Sequence, residues 1–178
     1  MRFKDIQSFI EDGGYQINVP LDMLEKIVTD WIDSEHYQLQ VNPDFQRGHV
    51  WTEQQQCEFV EFFLRGGKTG RIIYFNKPDW QREVQPGAYN DFVVVDGLQR
   101  LTALRKFMQG KLKVFGLFLY QFEGTIRQSS ACDNLCFNIN SLKTKREVLE
   151  WYLQMNTGGV VHSAAEIEKV KNLLSKEK

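Results

Sequence analysis

The sequence predicts a single α+β domain in which helices outnumber short strands, and three observations carry that prediction. Segments with a helical period recur along the 178 residues, separated by apolar runs too short for helices. One run, Phe92-Val93-Val94-Val95, passes through Asp96-Gly97 straight into a helical pattern that stops at Gly110. No internal repeat, low-complexity stretch or linker divides the chain. A hydrophobic content of 42% with 13% aromatic residues suffices for a genuine core. The formal net charge of −1 argues against coating nucleic acid by bulk electrostatics, leaving a local basic patch open.

The elements follow in order. Phe3, Ile6, Phe9 and Ile10 fit a short amphipathic helix ended by Gly13-Gly14. Pro20 suits a first helical turn, and Leu21, Leu24, Ile27, Val28, Trp31 and Ile32 recur at helical spacing. Tyr37 to Val41 alternates and predicts a short strand, broken by Asn42-Pro43-Asp44. Thr52 and Gln55 form a capping box for a helix to about Arg65, ended by Gly66-Gly67. Phe59 and Phe62 make that helix apolar most of the way round, as a central helix would be. Arg71 to Phe75 predicts a strand, and residues 76–90 a hairpin excursion or surface loop. Lys111 to Phe122 carries a β pattern kinked at Gly116, and Leu135 to Ile139 is a further strand. Capping boxes at Thr144/Glu147 and Ser163/Glu166 open two last helices around the turn Asn156-Thr157-Gly158-Gly159.

Cys57, Cys132 and Cys136 contain no CxxC pair, and His36, His49 and His162 show no ligand spacing, which predicts reduced thiols and no zinc site. Cys57 falls in an apolar helical pattern and is expected to be buried. No apolar run approaches the ~20 residues of a membrane span. Acids in the N-terminal segment argue against a signal peptide, so the expectation is a cytoplasmic protein without a membrane partner.

Asp96 to Arg100 is the candidate site. A helix opening directly after Gly97 presents unpaired N–H groups and the positive end of its dipole, both suited to anions. Arg100 adds a fork of donors that matches a phosphate. The chain has no GxxxxGK[ST] loop and no GxGxxG fingerprint, so neither a Walker site nor a dinucleotide site is expected. Two readings stay open from the residues alone. One is a phosphate site; the other is an ordinary β–α turn, with Asp96 capping the helix and Arg100 in a surface ion pair. For Arg47, on a loop with Phe45, Gln46 and Gly48, a solvated surface position stays equally open.

Three separated blocks add a family resemblance. Phe45-Gln46-Arg47 with Trp51 is similar to an aromatic–Gln–Arg…Trp block, and Val95 to Leu104 resembles DGQQRLTTL. Met155 to Gly159 with Glu166 resembles INxxGxxLxxxE. The chain thus resembles the N-terminal domain of GmrSD-type modification-dependent restriction enzymes, of the ParB/sulfiredoxin-like superfamily. Leu98 stands where that family usually carries glutamine. The resemblance implies a small mixed sheet flanked by several helices, with a core over about 37–170 and residues 1–36 as an N-terminal helical extension. It also implies binding, and often hydrolysis, of an NTP in DNA restriction and phage defence, in a bacterial, archaeal or phage-infected cell. Carried over by motif, Gly97, Gln99, Arg100, Arg47, Gln46 and Asn156 are the nucleotide contacts. Asp96, Arg100 and Arg47 are the catalytic candidates, and Asp96 is the Mg2+ ligand. Relatives join this domain to a nuclease domain with HNH-like histidines. None is recognisable here, so DNA cleavage by this chain alone is not expected, and DNA or a separate nuclease subunit is the expected partner. The alternatives are a non-catalytic DNA- or protein-binding module on the same fold, or a ParB-like nuclease or phosphotransferase.

Overall fold

Alternating apolar residues give this chain a sheet that is buried on both faces at one edge and half open at the other. A computed structural model describes residues 2–6, 14–46, 48–80, 83–129, 131–132, 135–157 and 164–177. The elements are β1 (Tyr15–Val19), α1 (Leu24–Asp33), α2 (Glu53–Leu64), β2 (Ile72–Asn76), β3 (Val93–Asp96), α3 (Leu98–Met108), β4 (Leu135–Asn140), α4 (Lys145–Thr157) and α5 (Ala164–Leu174). Among the described residues the four strands form one sheet in the order β1-β4-β2-β3. β4 runs antiparallel to β1 and parallel to β2, and β2 antiparallel to β3, so the sheet is mixed and the fold is α+β.

The β3 run is unbroken because both of its faces are covered. Val94 joins Ile73, Phe75 and Phe137 under α1, α2 and α3, where Leu24, Trp31, Phe63, Leu101 and Phe107 complete the larger core. Val93 and Val95 point the other way, into a second core with Phe45, Val148, Leu149, Trp151, Tyr152 and Val170 from the α4 and α5 side. A strand packed on two faces reads as a continuous apolar run. At the far side of the sheet, β1 and β4 turn Gln16, Asn18, Asn138 and Asn140 to that second face, and α4 contacts β3.

Capping chemistry sets two helix starts as expected. Thr52 Oγ1 accepts from Gln55 N at 3.2 Å while Gln55 Oε1 accepts from Thr52 N at 2.9 Å. Thr144 and Glu147 make the same reciprocal pair at 3.2 and 3.0 Å. Ser163, the expected cap of α5, lies outside the described residues.

Other expectations need correction. Phe3–Asp5 is a 3-10 turn, with Phe3 and Ile6 exposed, where an amphipathic helix was expected; Phe9, Ile10 and Gly13 lie outside the described residues. Tyr15–Val19 is a strand of the sheet, and Leu24, Val28 and Trp31 enter the larger core, so residues 15–33 are integral to the fold rather than a helical extension of it. The Tyr37–Val41 strand shrinks to one parallel bridge, Gln40 to Val93, because Gln38 turns the chain at a φ of 48°. The β pattern of Lys111–Phe122 shrinks to a bridge between Val114 and Leu117 around Phe115 and Gly116, both at positive φ. Leu112 and Val114 are apolar because they enter the core, not because they pair in a strand. Phe62 is 45% exposed, so α2 buries one side and is not central. Cys57 is half-buried and donates its thiol to Lys113 O at 2.9 Å.

One ion pair ties α1 to α3. Arg105 donates from Nε and Nη2 to the two oxygens of Glu25 at 2.9 and 2.6 Å, and Gln109 Nε2 adds a bond at 2.7 Å. The Arg105 hydrogen bonds hold the Glu25 carboxyl below its ordinary value of 4.5, against the opposing effect of partial burial. A depressed folded value means the contribution is present above the unfolded pKa and lost as pH falls through the folded one. The stability gap between wild type and Glu25→Gln, read by denaturant titration, is therefore expected to be widest above pH 4.5 and to close below it. A gap that stays constant down to about pH 3 would overturn this linkage.

Candidate functional site

Asp96 ends β3, and Gly97 turns the chain into α3 at a φ of +100°. A Cβ at Gly97 would lie 2.7 Å from Ile73 Cδ1, so neither the backbone angle nor the space suits another residue. Leu98 and Leu101 anchor the first turn of α3 in the core. The helix begins without a side-chain cap, so its leading N–H groups keep their capacity for an anion. Of the ordinary-turn reading, the Asp96 cap does not form, whereas Arg100 does enter an ion pair, with Asp96 itself.

Asp96 Oδ2 accepts from Arg100 Nη2 at 2.5 Å. Arg100 Nη1 donates to the β2 carbonyl of Ile72 at 2.9 Å, so the guanidinium bridges strand end and helix start. With 18% of the side chain exposed it is not a free surface arginine. Gly70 makes room for its stem, since a Cβ there would stand 3.3 Å from Arg100 Cδ.

The loop over residues 42–51 is fastened alongside. Phe45 is buried against Tyr152 with ring centroids 5.1 Å apart. Gln46 Nε2 donates to Val94 O and Val95 O at 3.1 and 2.9 Å, holding the loop to β3. Gln99 reaches across from α3. Its Oε1 accepts from Val50 N at 3.1 Å and Trp51 N at 3.2 Å, and its Nε2 donates to Gly48 O at 2.5 Å. Both ends of the Gln99 amide are therefore spent on the loop, and it positions rather than presents a side chain to a ligand. His49 sits 3.2 Å from Thr102 Oγ1. Asn156, in the last turn of α4, donates from Nδ2 to Tyr152 O at 2.7 Å.

Gln46, Trp51, Asp96, Gly97, Leu98, Gln99, Arg100 and Asn156 line one cleft of about 110 Å³. Six expected site residues from three distant parts of the chain thus meet, while Arg47, Gly158 and Gly159 lie outside the described residues. Trp51 is a lining residue that the sequence offered only as part of a motif. Its packing on Phe59, at 5.5 Å between ring centroids, is what brings it to the cleft wall. A roomier hollow of about 360 Å³, lined by Leu64, Phe107, Phe115 and Phe122, contains none of the motif residues.

Asp96 is the single carboxylate among the described lining residues. Among the described residues no three His, Cys, Asp or Glu side chains group as a metal cluster would. Cys57, Cys132 and Cys136 are free thiols. No described helix is long and apolar enough to cross a membrane.

No curated protein and no solved structure matches the chain. Residues 28–134 match a family profile described as the GmrSD restriction endonuclease, N-terminal domain. The match spans more than half of the 178 residues and holds both the Phe45–Trp51 block and the Asp96–Arg100 turn. The chain therefore belongs to the family of GmrSD restriction endonuclease N-terminal domains, and with it to restriction systems.

Proposed function

We propose that the cleft binds a nucleoside triphosphate and that the domain hydrolyses it within a restriction system, with DNA and a separate nuclease domain or subunit as partners. The observation that carries this reading is the uncapped start of α3 at Gly97, next to an arginine already fixed by Asp96 and Ile72 O. Donors held in place before the ligand arrives cost little reorganisation when negative charge enters or develops. A cleft of about 110 Å³ is smaller than the ~300–1,000 Å³ of typical small-molecule sites, so it encloses only part of the phosphate chain, with the rest of the nucleotide at and beyond its mouth.

Each residue then has a role. The first-turn N–H groups of α3 and Arg100 hold phosphate oxygens. Gln99 and Gln46 keep the loop against the cleft. Arg47, flanked by Gln46 and Gly48, is the proposed second phosphate contact that offsets charge as the terminal phosphoryl group is transferred. Asp96 uses one oxygen on Arg100 and has the other for orienting water. One carboxylate fits Mg2+ when phosphate oxygens supply further ligands, so the cation is proposed to enter with the nucleotide, lending charge neutralisation there.

A second reading, a non-catalytic DNA- or partner-binding module, draws on the use of both ends of the Gln99 amide for loop geometry. Thermal shift against the four common NTPs with Mg2+ separates the two. A nucleotide at 100 times its dissociation constant stabilises the fold by about 2.7 kcal/mol. That is a rise of roughly 5–10 °C for a chain of this size. Absence of any shift in well-folded protein, with DNA binding equal in the presence and absence of NTP, favours the module.

A further inference from the structure

The phosphate-binding half of the cleft supplies donors, whereas two other lining side chains supply acceptors. Gln46 commits its Nε2 to the carbonyls of Val94 and Val95 at 3.1 and 2.9 Å. Asn156 commits its Nδ2 to the carbonyl of Tyr152 at 2.7 Å. Rotating either amide by half a turn would set oxygen against carbonyl oxygen, so these contacts fix which end is which. Gln46 Oε1 and Asn156 Oδ1 are thereby left as acceptors, and neither receives a hydrogen bond from a described residue. Both residues line the same cleft as Asp96, Gly97 and Arg100.

An acceptor pair is matched by ligand groups that carry protons. In a nucleoside triphosphate the group adjoining the phosphates is the sugar, and its hydroxyls are donors. The base is farther from the phosphates along the molecule. We infer that Gln46 and Asn156 read the sugar hydroxyls of the bound nucleotide, which makes the site selective for ribonucleotides over deoxyribonucleotides. This inference rests on the nucleotide reading above. It gives Gln46 a double role, since the bonds that hold the loop to β3 are the ones that aim its oxygen.

The test compares affinities of the four ribonucleoside triphosphates, their 2′-deoxy and 3′-deoxy counterparts and inorganic tripolyphosphate, by calorimetry on the wild-type chain. One lost hydrogen bond corresponds to about a tenfold change, so at least one deoxy form is expected to bind about tenfold more weakly. The ratio should fall towards one in Asn156→Leu and in Gln46→Met. Equal wild-type affinity for ribo and deoxy forms overturns the inference, as does a ratio unaltered in both Asn156→Leu and Gln46→Met. Binding of tripolyphosphate alongside either result leaves the phosphate site standing. Failure of tripolyphosphate and every nucleotide to bind overturns the nucleotide reading itself, and the sugar reading with it.

Discussion

Gly97→Val is expected to destabilise the fold by about 3 kcal/mol and to lower the melting temperature by about 10 °C. Two costs combine. The backbone at a φ of +100° is one that a residue with a Cβ adopts at a penalty of about 1–2 kcal/mol, and branching at Cβ makes it worse. The new side chain also meets Ile73 Cδ1 at 2.7 Å, inside the core under β2, where overpacking costs about 1–3 kcal/mol. The costs separate experimentally. Gly66 has a φ of +86° with open space around its would-be Cβ, so Gly66→Ala reports the backbone penalty alone. Gly97→Ala should exceed it by about 1 kcal/mol or more. That excess should shrink in an Ile73→Val background, which removes the clashing Cδ1 atom. Equal costs for Gly97→Ala and Gly66→Ala would falsify the close approach of Ile73 as a constraint on this turn.

The same turn was the most legible part of the sequence, for a physical reason. Its strand is apolar throughout because both faces are buried, and its glycine is required by angle and by space. Such signals lie in adjacent residues and need no knowledge of the rest of the fold. The caps at Thr52 and Thr144 are legible likewise, being reciprocal contacts across three residues. β1 is poorly marked in the sequence although Tyr15, Ile17 and Val19 alternate with Gln16 and Asn18. Five residues at a sheet edge give a short signal, and the apolar residues before Gly13 fitted a helix as well. The expected strands at Tyr37 and Lys111 failed where positive-φ residues, Gln38 and Phe115, bend the chain out of a ladder. The loop contacts of Gln99 are not legible in the sequence for another reason. Its amide bonds backbone groups 48–51 residues away, and no local pattern says whether a glutamine will face a ligand or a loop.

Arg100→Ala is expected to weaken NTP binding about 100-fold while the chain stays folded. The guanidinium makes one charge-assisted bond with Asp96 and one bond with the Ile72 carbonyl, leaving donors on its fork for phosphate. Two charge-assisted bonds to phosphate, each worth about 1.5–3 kcal/mol, account for a loss of this size. The structural cost is smaller. Asp96 is 32% exposed, so water takes over part of its partner's role and the ion pair itself is worth about 1 kcal/mol. Arg100→Lys retains the charge, but an ammonium cannot reach carboxylate, carbonyl and phosphate in one planar arrangement, so its affinity should fall between the two. Asp96→Asn completes the set. It leaves the Arg100 charge in place and removes a negative charge from the cleft, so nucleotide binding should survive while hydrolysis drops at least about 100-fold. Wild-type affinity in Arg100→Ala, measured by calorimetry with melting curves as the folding control, would remove the phosphate site from α3. Undiminished hydrolysis in Asp96→Asn would instead leave the site and move the water-orienting role to another residue. The two variants thus divide the Asp96–Arg100 pair into a binding half and a chemical half, a division that the 2.5 Å contact between them conceals.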